Sequence, residues 1–199
     1  MQEREKERVY LKFIFLGASK SGKTSIIRRY IENKYSEHLY YTATIPADYR
    51  TRFIQDIDPN KTLFLQVWDK YTGERFGFIP PDFFKYVNAS FIVFDITNRD
   101  SFNYVKEEIT RIPHDEPNQY RELYIVGNKS DLESHRVINR DEANQLAQDN
   151  AAKYIEVSAK DNINVYQSFD EIAKSLFFKK INDPSSFPPS PPSSFCTIL

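Results

Sequence analysis

The chain has 199 residues, 40% of them hydrophobic, a length that fits one domain with a substantial core. Its 27 basic and 28 acidic residues give a net charge of −1, so no overall field favours nucleic acid as a partner. A single cysteine excludes an internal disulfide and fits a reducing compartment, and no run of about 18 apolar residues marks a membrane span.

Met1 to Arg8 is a mixed-charge extension without an apolar core, so no secretory signal is expected, and Gln2 stands where N-myristoylation needs glycine. Val9 to Leu16 reads as a buried strand. Thr24 to about Asn33 reads as a helix with Ile26, Ile27, Tyr30 and Ile31 on its apolar face. Tyr35 to Ala47 has no clean period and reads as a loop. Tyr49–Ile57 and Leu63–Trp68 read as strands of a hairpin turned at Asp58-Pro59-Asn60. Asp69 to Pro81 is a second loop, and Asp82 to Val87 a short helix. Ser90 to Phe94 is an apolar strand. Ser101 is the expected cap of a helix to about Ile112, which Pro113 stops. Leu123 to Val126 is a strand, Asn139 and Glu142 resemble a capping pair for a helix to about Asp149, and Lys153 to Val157 is a last strand. Val165 to Lys180 closes the series as a helix with Phe169, Ile172, Ala173, Leu176 and Phe177 on one face. Short apolar strands alternating with helices predict an α/β fold, a mostly parallel six-stranded sheet flanked by helices. Ligands in such sheets bind beyond the carboxyl ends of the strands.

The stretch around which the rest is organised is Gly17-Ala18-Ser19-Lys20-Ser21-Gly22-Lys23-Thr24, a Gly-x-x-x-x-Gly-Lys-Thr run between strand and helix. That context is what a phosphate-binding P-loop requires. Gly17 and Gly22 let the backbone curl so that N–H groups point at phosphate oxygens, and the helix N-terminus adds its partial positive charge. Ser19, Lys20, Ser21, Gly22, Lys23, Thr24 and Ser25 are the expected phosphate-side residues. Lys23 reaches the β- and γ-phosphates, and the Thr24 hydroxyl binds Mg²⁺. The Lys20 side chain either points to solvent or adds charge near the phosphates. An incidental glycine turn is the bland alternative, and the spacing disfavours it.

Two further strand ends carry chemistry. Asp69 follows its strand and can hold Mg²⁺ directly or through water, although a lone Asp there could equally cap a turn. Asn128-Lys129-Ser130-Asp131 follows the Leu123–Gly127 run. The Asp131 carboxylate can accept from the N1–H and amino group of guanine, an edge that adenine does not present. Ser158-Ala159-Lys160 follows the last strand, where backbone N–H groups can meet the guanine O6. Either tripeptide or tetrapeptide alone would more often be a turn, but three pieces in this order after separate strands specify a guanine nucleotide.

On these residues the chain resembles a Ras-superfamily small GTPase, closest to the Rab branch, over about Val9 to Lys180. Leu65-Gln66-Val67-Trp68-Asp69, Glu74-Arg75-Phe76, Phe94-Asp95-Ile96-Thr97-Asn98-Arg99-Asp100-Ser101-Phe102 and Glu156-Val157-Ser158-Ala159-Lys160 carry the likeness. The resemblance implies a G domain over 9–181 that binds GTP or GDP with Mg²⁺, and two loops ordered by the γ-phosphate. It implies an exchange factor, a GAP, effectors and a prenyl-protein carrier as partners, no nucleic acid, and a monomer. Tyr35 then stands where an aromatic ring meets the guanine. Thr44, in Thr44-Ile45-x-x-Asp48-Tyr49, resembles the switch I threonine that binds Mg²⁺ and γ-phosphate, and counting from Tyr35 selects Thr42 instead. Pro46 replaces the usual glycine there. Switch II departs from the family: the run is Asp69-Lys70-Tyr71-Thr72-Gly73-Glu74. Either Gly73 replaces the catalytic glutamine, or, slipped by one, Glu74 does; no glutamine is present in either register. Slow hydrolysis is the expectation, with a nucleotide-holding pseudo-GTPase as the other reading. A P-loop nucleotide kinase would leave Asn128–Asp131 unexplained.

Residues 182–199 are rich in proline and serine and are expected to be an extended tail that buries no core. The chain ends Cys196-Thr197-Ile198-Leu199, which resembles a prenylation signal with leucine favouring geranylgeranyl. Cys196 is thus the expected lipid site, and the cytosolic face of an intracellular membrane the expected location. Most Rab proteins carry two terminal cysteines, and a single lipid anchors weakly without a second signal.

Overall fold

A computed structural model describes residues 6–37, 47–70, 81–112 and 121–188. Its centre is β1 (Glu7–Leu16), buried at every position from Leu11 onward because helices cover both faces of the sheet. A near-continuous apolar run is what a central parallel strand needs. On one face Leu11, Phe13 and Phe15 pack with Ile26, Ile27 and Tyr30 of α1 (Lys23–Glu32) and with Phe169, Ala173 and Leu176 of α4 (Val165–Asn182). On the other, Ile14 and Leu16 pack with Phe102, Val105 and Ile109 of α2 (Arg99–Arg111) and with Ala143 and Ala147 of α3 (Arg140–Asp149). The remaining strands are β2 (Ala47–Ile54), β3 (Lys61–Lys70), β4 (Ala89–Asp95), β5 (Glu122–Asn128) and β6 (Lys153–Glu156). Together they form a six-stranded sheet in the order β2-β3-β1-β4-β5-β6. Only β2 runs antiparallel to its neighbour; every other pairing is parallel. The α/β class read from the sequence is therefore the observed one. Phe91 illustrates the core: it stacks on Phe15 at 4.9 Å and on Tyr124 at 5.0 Å, and meets Phe169 edge-on at 5.0 Å. Truncating such a ring to alanine costs about 3–5 kcal/mol.

The hairpin forms as expected, with the Asp58 carboxylate accepting from the Asn60 N–H at 2.8 Å. Several boundaries differ, each for a local reason. β3 runs on to Lys70 because β2 pairs with its end, Asp48 opposite Asp69 and Ala47 opposite Lys70, so Asp69 lies in the strand and not after it. The cap of α2 is Asn98, whose side chain accepts from the Ser101 N–H at 2.9 Å. Ser101, expected as the cap, turns its hydroxyl inward to the Asn98 carbonyl at 2.7 Å and accepts from the Asp95 N–H at 3.0 Å. Asn139 does cap α3, but Glu142 does not return to it; Glu142 pairs with Arg99. The expected helix after residue 81 is a 3-10 turn over Pro81–Phe84. A second 3-10 segment, Ser130–His135, falls in a stretch with no periodic signal. The beginning of the tail also departs from expectation: Pro184–Ser186 form a turn and Phe187 is buried in the same apolar cluster as Leu176 and Phe177, with Lys180 over its ring at 5.9 Å.

Candidate functional site

Because β3 and β4 run parallel to β1, β5 to β4 and β6 to β5, the carboxyl ends of these strands share one rim, where ligands bind in open α/β sheets. The loop from Gly17 to Gly22 leaves β1 at this rim. Gly17 sits at φ +125°, and a Cβ there would lie 2.1 Å from the Val93 carbonyl oxygen, so the loop is pressed against β4. Gly22, at φ +95°, begins α1, and its Cβ would lie 2.1 Å from the Asn128 side-chain nitrogen. Both positions need glycine's freedom of conformation and its lack of a side chain.

Lys23 lies under the loop. Its ammonium donates to the Gly17 carbonyl at 2.9 Å and the Ala18 carbonyl at 2.8 Å. Burial pushes its pKa down to about 8, with Asp69 opposing that fall. Thr24 Oγ1 donates to Asp69 Oδ2, joining the first turn of α1 to the end of β3. Burial pushes the Asp69 carboxyl up, while the Thr24 hydroxyl and then the Lys23 charge pull it down. A hydroxyl and a buried carboxylate facing each other beside a lysine are oxygen donors suited to a hard divalent cation. Ser19 and Lys20 are exposed, Lys20 with φ +63°, whereas Ser21 is buried. The Ser21 hydroxyl has no hydrogen-bond partner among the described residues, as a group meant for a ligand would. Ser25 is half-buried in the first turn of α1.

The second and third loops meet the first through Asn128. Its carboxamide donates to the Ser21 carbonyl at 2.9 Å and accepts from the Ala159 N–H at 3.2 Å. One buried side chain thus ties the phosphate-type loop to both base-type loops, a role beyond the motif pattern that singled it out. Lys129 is held at φ +67° with its ammonium 2.5 Å from Asp95 Oδ2. Asp131 accepts from Ser158 Oγ at 2.6 Å, and that hydroxyl in turn accepts from the Asp161 N–H at 3.0 Å. A carboxylate has about four acceptor sites, so Asp131 retains capacity for a ligand edge. Ala159 is buried and Lys160 exposed. Arg29, which sequence reasoning passed over, carries this loop: it donates to the Ala159 and Lys160 carbonyls, each at 3.0 Å, and lies 5.9 Å from the Tyr35 ring. Tyr35 is therefore on the same side as the base-type loops. Nothing in the Arg29 position on the helix could have signalled this, since its partners are 130 residues away. The expected residues Thr44, its alternative Thr42, Gly73 and Cys196 lie outside the described residues.

A phosphate-type loop laced by one asparagine to two base-type loops, on this sheet order, is the site of a P-loop protein of the small G-domain class. Residues 12–178 match the Ras family. Among curated proteins the chain is 38% identical to the Ras-related protein Rab-1 of Theileria parva, over 93% of this chain and 83% of that one. It is 36% identical to the mouse (Mus musculus) Ras-related protein Rab-39A, over 83% of this chain and 77% of that one. With the Arabidopsis thaliana Ras-related protein RABD2a the identity is 32%, over 92% and 87%. The chain belongs to the Ras family. Proteins of this family bind GTP or GDP with Mg²⁺, and the donors described here fit that set.

Proposed function

We propose that this chain is a Rab-type molecular switch that binds GTP and GDP with Mg²⁺, hydrolyses GTP slowly, and regulates vesicle or membrane traffic. The observation that carries the reading is Asn128, which joins the Ser21 carbonyl to the Ala159 N–H and so makes a single cleft of three loops. In that cleft Lys23 and the loop N–H groups from Ser19 to Ser25 would hold the phosphates. Thr24 and Asp69 would hold Mg²⁺, whose charge offsets that of the phosphate oxygens. Asp131 would accept from the guanine edge, Lys129 and Tyr35 would flank the base, and the Ser158-Ala159-Lys160 backbone would meet its carbonyl. Thr44, or Thr42, would complete the Mg²⁺ shell from switch I.

The slow rate follows from the sequence. In this family a glutamine orients the attacking water, and catalysis is mostly positioning and electrostatics. Between Asp69 and Glu74 there is no glutamine. Gly73 offers no side chain, and Glu74 would add like charge near the γ-phosphate. Intrinsic Ras hydrolysis is only about 10⁻⁴ s⁻¹, and this chain should be at or below that order. A GAP supplying a glutamine in trans could still restore the rate. The same absence supports a second reading, a binding module that holds its nucleotide as a structural ligand. Cys196 would carry the lipid that brings the protein to the cytosolic face of a membrane. Single-turnover hydrolysis of preloaded GTP at saturating Mg²⁺, beside Gly73→Gln, tests the proposal. We expect a rate at or below the Ras order that rises in the variant. A fast wild-type rate unchanged by Gly73→Gln refutes the reading of switch II, and no measurable turnover in either protein supports the binding module.

A further inference from the structure

We propose that Lys70 and Glu108 form a positioning pair for Asp69, holding the metal-side carboxylate in place from the opposite face of the sheet. The inference rests on the reading of Thr24 and Asp69 as Mg²⁺ residues. Lys70 is the last residue of β3, and its ammonium lies 2.5 Å from Glu108 Oε1 on α2. Both side chains are inside the protein, 8% and 1% exposed. The second Glu108 oxygen accepts from Arg111 Nη1 at 3.1 Å, so the carboxylate is held on both sides. Charges buried this deeply are costly without a partner, so each fixes the other.

The geometry gives the pair its purpose. Successive residues of a strand point to opposite faces. Asp69 faces α1 and meets Thr24; Lys70 faces α2 and meets Glu108. The pairing of β1 with β3 ends at Phe15 and Asp69, so at Lys70 only the Ala47 pairing with β2 continues the sheet. The strand end that carries Asp69 is thus pinned by side chains on both faces, where the backbone ladder is running out. The Lys70 and Glu108 charges also act on the Lys23 ammonium in opposite senses, so the intact pair presents balanced charge behind the phosphate loop. Sequence reasoning could not see this pair, because its members are 38 residues apart on different elements.

The test is the release rate of a fluorescent GDP from the full chain, measured across free Mg²⁺ concentrations and in excess EDTA. Lys70→Met and Glu108→Gln should each raise the Mg²⁺ concentration for half-maximal retention by about tenfold, the scale of outer-shell partners at metal sites. The EDTA rate should stay within about twofold. Lys70→Arg should behave as wild type. The double variant Lys70→Met with Glu108→Leu removes both charges, keeps the site apolar, and preserves the test where a single variant fails to fold. It should regain thermal stability but not the Mg²⁺ response. Equal rate changes in EDTA and Mg²⁺, or a double variant with wild-type Mg²⁺ dependence, would mean a purely structural pair and overturn the inference. A wild-type protein that retains GDP equally with and without Mg²⁺ would overturn the metal reading itself, and this inference with it.

Discussion

Replacing Gly22 with alanine strikes the site where the phosphate-type loop meets Asn128. Two effects add. The residue sits at φ +95°, a region that costs an L-residue about 1–2 kcal/mol. The new methyl would also lie 2.1 Å from the Asn128 nitrogen, far inside contact distance, so the carboxamide must move. Moving it breaks the bonds to the Ser21 carbonyl and from the Ala159 N–H, which are buried and worth about 1 kcal/mol each, more when a partner is left unsatisfied. The combined penalty is about 3–5 kcal/mol. It should appear as lost thermal stability in the nucleotide-free protein and, because three loops separate, as at least a 100-fold weaker GDP affinity by titration calorimetry. Gly127→Ala is the contrast. Its Cβ would meet only side-chain ends, the Tyr154 hydroxyl at 2.7 Å and Ile96 and Phe94 at 3.2 Å, at an unstrained φ, and its cost should be about 1–3 kcal/mol. If Gly22→Ala leaves both stability and GDP affinity within about twofold of wild type, Asn128 does not hold the loops together and the reasoning fails.

Asp131→Asn replaces an acceptor oxygen with a donor amide and should move preference from guanine toward xanthine nucleotides, with a loss on guanine of about 1–3 kcal/mol; equal competition of ATP with GTP on the wild-type protein would refute the guanine assignment. Lys23→Ala removes the ammonium under the phosphate loop, and Thr24→Asn removes the hydroxyl that meets Asp69. The first should weaken all nucleotides and the second should favour GDP or the empty state; unchanged GTP affinity in Mg²⁺ for both removes the loop from the site. Cys196→Ser should make the protein fully cytosolic in its native cell, and intact-mass analysis showing an unmodified chain ending at Leu199 would refute lipidation.

The parts of this molecule that sequence reveals are those set by short-range chemistry. The apolar run of β1, the Gly17–Thr24 spacing and the turn at Asp58-Pro59-Asn60 are local patterns with local causes, and all appear where expected. Ser101 misled because serine is a good cap wherever it lies near a helix start; Asn98, three residues earlier, had the same chemistry and the better position. Glu142 misled in the same way, since a glutamate can reach back to its cap or out to Arg99, and only the neighbouring helix decides. At the site, the sequence puts Asn128 and Asp131 just after one strand and Ser158 just after another, and the structure brings them together there. Their mutual contacts were not legible: the Asn128 lacing, the Arg29 support and the Lys70–Glu108 pair are products of the fold that no spacing encodes.

The burial of Phe187 sets a length scale. The ring is 5% exposed in the same core as α4 and β1, and Lys180 bonds to the Tyr10 carbonyl beside it at 2.9 Å. The buried, described part of the chain therefore reaches Pro188 and does not stop at the end of the helix. From Pro188 to Cys196 is eight residue-to-residue steps, which no trans chain can stretch beyond about 29 Å. With Cys196 lipidated as proposed, Pro188 would lie no farther than that from the cysteine bearing the lipid. Phe187→Ala would remove the ring that ties this segment to the core, and the same limit would then be counted from Asn182, at about 50 Å.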